Sequence, residues 1–108
     1  MSTVPQSAEF TKAVGDSRKL IAKPGQDELL LLYGLFKQGT QDPPFEKAET
    51  PGAFDLKGKA KKRAWQRIVE DNVTPAAAQT KYVELVEELK GKHGFDENKE
   101  PEHVGGAS

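Results

Sequence analysis

Apolar and polar positions repeat with a helical period in four stretches of the chain. In the first, Phe10, Val14, Ser17 and Ile21 fall on one stripe at about 100° per residue, flanked by Ala13 and Leu20. Ser7 can cap this stretch through its hydroxyl, so the pattern predicts a helix over about residues 7–22, stopped by Pro24-Gly25. The second and most apolar stretch is Leu29-Leu30-Leu31-Leu32-Tyr33-Gly34-Leu35-Phe36. Leu29, Leu32, Tyr33 and Phe36 make one stripe, with Leu31 and Leu35 well round the cylinder. A helix from Gln26 to Thr40 follows, with Asp27 and Glu28 suited to its first turn and Gly39 weakening its end. Its apolar surface exceeds the needs of one core. It must meet neighbours on two sides, or a ligand.

The third stretch predicts a helix from Leu56 to Asp71 in which Lys57, Lys61, Ala64, Trp65 and Ile68 lie together. Lys61 thus points along the apolar side, one turn from the single tryptophan, where it can snorkel to water or meet an anion. The fourth begins at Thr74-Pro75, a cap followed by a proline whose missing N–H costs nothing there. Ala78, Tyr82, Leu85, Val86 and Leu89 keep its period to His93, and Glu87–Lys90 and Glu88–Lys92 are spaced to pair on its solvent face. Residues 41–55 between the second and third helices show no period. They exceed the usual connection of about 2–8 residues, which makes them a crossover or a lid.

No stretch alternates like a strand, so the fold class is all-α: a four-helix bundle with one long connection between helices 2 and 3. Residues 1–6 read as an N-terminal extension, 7–94 as the helical domain, and 95–108 as a disordered polar tail.

Composition narrows the chemistry. Charged residues are 31% of the chain but balance to a net charge of −1, so any anion site must come from local clustering. The absence of cysteine removes disulfides and thiol chemistry, and two histidines, His93 and His103, leave little for a metal or a catalytic imidazole. The start lacks the basic and apolar regions of a signal peptide, so the cytoplasm is the expected compartment.

Gly52 to Gly58-Lys59-Ala60 imitates a phosphate loop, but its spacing is one residue too long and no hydroxyl follows the lysine. The basic run Lys57-Gly58-Lys59-Ala60-Lys61-Lys62-Arg63 spreads its charges around a helix, which argues against nucleic acid as a partner. Serine, histidine and carboxylate never converge as a nucleophile and base, so no catalytic residue is assigned. What remains is Tyr33 and Lys37 on one helix, Lys61 on another, Arg18 near a third and Tyr82 on the fourth. Cations and aromatic rings beside surplus apolar surface suit an amphiphile with an anionic, aromatic head.

At these residues the chain resembles the acyl-CoA-binding protein family, from about Ser7 to Gly94. The matching segments are Lys23-Pro24 followed by acidic residues, Leu32-Tyr33-Gly34-Leu35-Phe36-Lys37-Gln38, Pro51-Gly52 with Asp55 and Gly58-Lys59-Ala60-Lys61, Ala64-Trp65, and Tyr82 through Leu89. The resemblance implies an up-down-down-up bundle that binds long-chain acyl-CoA without turning it over. By the same resemblance, Tyr33, Lys37 and Lys61 hold the 3′-phosphate and nucleotide, and Tyr82 contacts the head group near the adenine. Val14, Arg18, Lys23, Leu29, Leu30 and Ala60 line the path of the ligand or its acyl chain. The chain departs from the family in four places: Phe36 for a usual tyrosine, Gly39 for a common alanine, Lys62 for a frequent tryptophan, and Asp42-Pro43-Pro44-Phe45 in the long loop. Phe36 keeps a face for stacking on the base and loses a hydroxyl.

The reading is an intracellular carrier and pool former for long-chain acyl-CoA. It is a monomer needing no cofactor or metal, without stable membrane insertion, and expected to touch acyl-CoA-using enzymes or membranes transiently. The alternative is a protein-interaction module using its exposed apolar face. A thioesterase or transferase lacks a nucleophile with its base.

Overall fold

A computed structural model describes residues 4–99. The four helices are α1 (Ala8–Asp16), α2 (Gln26–Thr40), α3 (Leu56–Glu70) and α4 (Pro75–His93), with a short 3₁₀ turn at Phe45–Lys47 in the long connection. The caps do what their chemistry predicts. Ser7 Oγ accepts from Phe10 N at 3.1 Å, Asp55 Oδ1 from Gly58 N at 2.8 Å, and Thr74 Oγ1 from Ala77 N at 3.1 Å. Glu28 reaches back to the Gly25 N–H at 2.8 Å.

Cross-helix contacts fix the directions. On α1 and α4, Ser7 meets Gln79, Phe10 meets Tyr82 and Asp16 meets Lys90, so residue numbers rise together and the helices are parallel. On α2 and α3, Tyr33 meets Lys61 and Lys37 meets Trp65, again parallel. Between α2 and α4 the order reverses: Glu28 meets Lys92 while Gly39 meets Gln79. The bundle therefore runs up-down-down-up, and the connection over residues 41–55 is the crossover that two parallel neighbours require.

The core is Phe10, Ala13, Leu20, Leu32, Leu35, Ile68, Ala78, Tyr82, Val86 and Leu89, with Leu29, Phe36 and Leu85 packed against it. At the α2–α3 crossing a side chain on Gly34 would sit 3.1 Å from the Ala64 carbonyl oxygen, which explains a glycine in mid-helix. A side chain on Gly39 would meet Gln79 Cγ at 3.0 Å. The residue that weakens α2 locally is what lets α4 approach it. Gln79 uses that approach, donating to the carbonyls of Gly39 and Pro5, both at 2.9 Å, and accepting from Ser7 N at 3.0 Å.

Three expectations are corrected. The first helix ends at Asp16, not near residue 22. Ile21 N and Ala22 N donate to Gly94 O and His93 O at 2.9 and 3.0 Å, so this segment pairs with the end of α4 instead of coiling on itself. Leu20 is buried by this pairing, and Ile21, expected on the apolar stripe, is 62% exposed. The polar tail does not begin at residue 95, because Phe95 bridges to Leu20 and lies under Lys90 Nζ, 4.4 Å from the ring centre. Residues 95–99 continue the fold, and the rest of that expected tail, 100–108, lies outside the described residues, as do residues 1–3 of the N-terminal extension. Within that extension Val4 N donates to Thr40 O at 3.1 Å. Lys92 pairs with Glu28 at 2.7 Å instead of Glu88, because Glu28 holds the start of α2 against the end of α4.

Candidate functional site

The lysines that the sequence singles out meet aromatic rings, each on the opposite helix. Lys61 of α3 places Nζ 5.4 Å from the Tyr33 ring centre, and Lys37 of α2 places Nζ 5.5 Å from Trp65. Parallel packing makes this crossing: Tyr33 and Lys37 are one turn apart, and so are Lys61 and Trp65. Lys37 also donates to the Asp42 carbonyl at 3.2 Å, which ties it to the start of the crossover. Trp65 is 1% exposed, and its indole N–H donates to Gln38 Oε1 at 3.0 Å, while Gln38 donates to Val73 O at 2.8 Å. The platform beneath Lys37 is thus fixed in orientation.

Phe45 from the crossover packs edge-on against Trp65 at 5.1 Å. Lys62 lies 5.3 Å from the Phe45 ring centre and points at the Glu49 carbonyl at 3.3 Å. Two departures from the family pattern are therefore one feature: Phe45 and Lys62 form a pair that straps the long loop to α3. Sequence reading missed it because the two are seventeen positions apart with ten residues of aperiodic chain between Phe45 and the start of α3, and only the Pro-Pro-Phe run early in the loop hinted at an anchor.

A second group lies on the α1–α4 side. The Tyr82 ring is 4% exposed and stacks into the core, 5.1 Å from Phe10 and 6.4 Å from Phe36. What it offers is its hydroxyl, which donates to Ser17 Oγ at 3.2 Å. Burial raises the Tyr82 pKa, with the Ser17 hydrogen bond and the Arg18 charge acting the other way. Burial likewise raises the Tyr33 hydroxyl above its ordinary range. Both hydroxyls stay protonated at neutral pH and can donate to an anion. Phe36 is half-buried and joins the groups, its ring 6.0 Å from Phe10 on one side of the bundle while Tyr33 and Lys37 flank it on α2.

Of the remaining expected site residues, Val14 and Leu29 pack against the core, and Leu30 and Ala60 are half-buried on α2 and α3. Arg18 is exposed in the turn after α1, and Lys23 is exposed in the link before α2. The structure thus brings together Tyr33, Lys37 and Lys61, and separately Tyr82 and Arg18, with Phe36 between. Lys23 makes no hydrogen bond or ion pair to the rest of the set. No group of histidine, cysteine and carboxylate ligands among the described residues could hold a metal ion.

Charge balance sharpens the picture. Lys12 and Lys90 neutralise the buried Asp16 at 2.6 and 2.8 Å, and Lys92 and His93 hold Glu28 at 2.7 and 2.8 Å. Lys37, Lys61 and Lys62 have no carboxylate partner among the described residues and rest on rings and carbonyls instead. A ring face holds an ammonium in place without cancelling its charge.

The family profile for Acyl CoA binding protein matches residues 7–86. Acyl-CoA-binding protein homolog 1 of Caenorhabditis elegans is 46% identical over 85 residues, 79% of this chain and 94% of that relative. The Drosophila melanogaster acyl-CoA-binding protein homolog is 38% identical over 87 residues, 81% of this chain and 96% of that relative. The crystal structure of Oryza sativa acyl-CoA-binding protein 2 superimposes with a TM-score of 0.67 at 30% identity, covering 78% of this chain and 89% of that one. With four helices in the same order and a profile match across most of its length, this chain belongs to the acyl-CoA-binding protein family.

Proposed function

We propose that this protein binds long-chain acyl-CoA and serves as a cytoplasmic carrier and pool former for it, acting as a monomer and without catalysis. The observation that carries the reading is the set of lysines poised on aromatic rings with no carboxylate to neutralise them. Lys37 and Lys61 would meet the 3′-phosphate as point charges, and the Tyr33 hydroxyl would donate beside them. Phe36 offers a face for the adenine, and stacking of this kind is worth about 1–3 kcal/mol per base in single-strand binders. Arg18 and the Tyr82 hydroxyl complete the head-group contacts from the other side.

The tail sets affinity. Burial is worth about 0.8 kcal/mol per CH₂, so a 16-carbon chain offers up to roughly 12 kcal/mol before ordering costs. Leu29, Leu30, Val14 and Ala60 are the apolar surface for it, which accounts for leucines on α2 beyond what the core uses. Among the described residues no helix is long and apolar enough to cross a membrane.

Calorimetry with palmitoyl-CoA, palmitate and free CoA tests the reading. Palmitoyl-CoA is expected to bind far more tightly than either fragment. Equal affinity for palmitate and palmitoyl-CoA would remove the role given to the lysines, and release of free thiol from palmitoyl-CoA would contradict the absence of catalysis.

A further inference from the structure

We propose that Phe95 is a positioning residue for the head-group site, holding the link between α1 and α2 so that Arg18 stands beside Tyr82; this rests on the reading of Arg18 and the Tyr82 hydroxyl as head-group contacts.

Arg18 does not hold itself there. α1 ends at Asp16 and α2 begins at Gln26, so Arg18 lies in a link, residues 17–25, that has no helix. Its N–H closes a turn onto Gly15 O at 3.2 Å, and Lys19 N does the same onto Asp16 O at 2.9 Å. The Arg18 side chain is exposed and makes no hydrogen bond or ion pair among the described residues. Its place nevertheless matters. Ser17, one residue earlier, accepts from the Tyr82 hydroxyl at 3.2 Å, so one turn presents both groups. A charge on an unheld link samples many positions, and ordering it costs binding energy when a ligand arrives.

Beyond Lys19 the link takes its order from the chain that follows α4. Ile21 N and Ala22 N donate to Gly94 O and His93 O. Asp96 N donates back to Lys19 O at 3.1 Å, and Lys99 Nζ donates to Leu20 O at 2.5 Å. These bonds make a short antiparallel ladder in which Leu20 stands opposite Phe95. Leu20 is 3% exposed and Phe95 packs against the same core, so together they fasten the ladder to the bundle. Gly94 permits the approach: its φ is 80°, and a side chain there would sit 3.1 Å from Ile21 Cδ1. The family profile ends at residue 86, so the match assigns this segment no part in binding.

A double-mutant cycle tests the role, with palmitoyl-CoA affinity read by calorimetry. Arg18→Ala should weaken binding by about ten-fold, and Phe95→Ala by about five-fold. Combined, they should lose little more than Arg18→Ala alone, because the positioning residue has nothing left to position. Phe95→Ala with Lys61→Ala should instead multiply to within about two-fold, since Lys61 stands on α3 and shares no partner with Phe95. Phe95→Leu keeps an apolar anchor and should restore affinity to within about two-fold of the unaltered protein. Amide exchange in ligand-free protein gives a readout that does not pass through the ligand. Phe95→Ala should speed exchange at Ile21 and Ala22 by at least about ten-fold and leave Val86 and Leu89 protected.

An equal loss from Phe95→Ala with Arg18 present or replaced would overturn the proposal and leave Phe95 a residue of stability alone. So would unchanged exchange at Ile21 and Ala22, or a rise in exchange throughout α4 that Phe95→Leu does not reverse. Unaltered protein with no affinity for palmitoyl-CoA would overturn the underlying reading and the positioning role with it. Faster exchange at Ile21 and Ala22 would then still show the ladder held by Phe95, which separates the two failures.

Discussion

The two sides of the bundle treat their lysines in opposite ways. On the α1–α4 side, Lys12 and Lys90 close on Asp16, and Lys90 also reaches Glu87 at 2.8 Å. On the α2–α3 side, Lys37, Lys61 and Lys62 lie over Trp65, Tyr33 and Phe45. A lysine paired with a carboxylate near a protein core stabilises the fold and adds no net charge. A lysine set on a ring is held in place and keeps its charge for another anion. One side spends its cations on stability and the other keeps them for binding.

The sharpest way to break that contrast is to remove lysines from each side. Lys37→Ala and Lys61→Ala should each weaken palmitoyl-CoA binding by at least about ten-fold, measured by calorimetry, with little change in melting temperature. If either variant lost stability and kept its affinity, the ring-held lysines would be structural and the contrast would fail.

Lys90→Ala should do the reverse. It leaves Asp16 with Lys12 alone and uncovers Phe95, so about 1 kcal/mol of stability is expected to go, lowering the melting temperature by about 4–8 °C. Affinity for palmitoyl-CoA should be unchanged.

Acid titration sharpens the same comparison. Hydrogen bonds from Lys92, the Gly25 N–H and His93 hold the Glu28 pKa at about 2. Burial pushes Asp16 up, but the hydrogen bonds and charges of Lys12 and Lys90 together outweigh it and leave its pKa lowered. A carboxylate whose folded pKa is depressed contributes stability above its unfolded pKa and loses it as pH falls through the folded one. The fold should therefore weaken between about pH 4.5 and 2, and Glu28→Gln should flatten part of that slope in urea melts. The ring-held lysines, having no carboxylate, should leave the slope unchanged when mutated.

The smallest effect expected is Tyr33→Phe. The ring under Lys61 survives and only a hydroxyl is lost, so affinity should fall by about three-fold, less than for either lysine. A larger loss would mean that the hydroxyl, and not the ring-held ammonium, is the main contact.

Much of this was legible along the chain because it is local. Ser7 and Thr74, read as caps along the chain, reach three residues ahead, as Asp55 also does, and α2 and α4 keep the bounds that their periods predict. Tyr33 and Lys37, four apart on α2, had to share a face. The family resemblance, carried by spaced motifs, extended this to Lys61 and to the order of the helices.

Residue-to-residue pairing between helices was not legible, because register is a property of the packed bundle. Periodicity put Lys61 beside Trp65 on α3, yet packing rests it on Tyr33 and gives Trp65 to Lys37. Periodicity also carried the first helix to about residue 22. The chain leaves it at Asp16 because Gly94 and His93 offer carbonyls that Ile21 and Ala22 take instead. The polar composition of residues 95–108 argued for disorder. Phe95 overrides it by pairing with Leu20 beneath Lys90. The sequence by itself determined four helices and the chemical kinds of side chain that could meet an anionic amphiphile. Only the tertiary structure decided that Lys90 also reaches Asp16, that Lys92 goes to Glu28, and that Lys37 and Lys61 keep their charge, because those outcomes depend on groups far apart in the chain and a few ångströms apart in the fold.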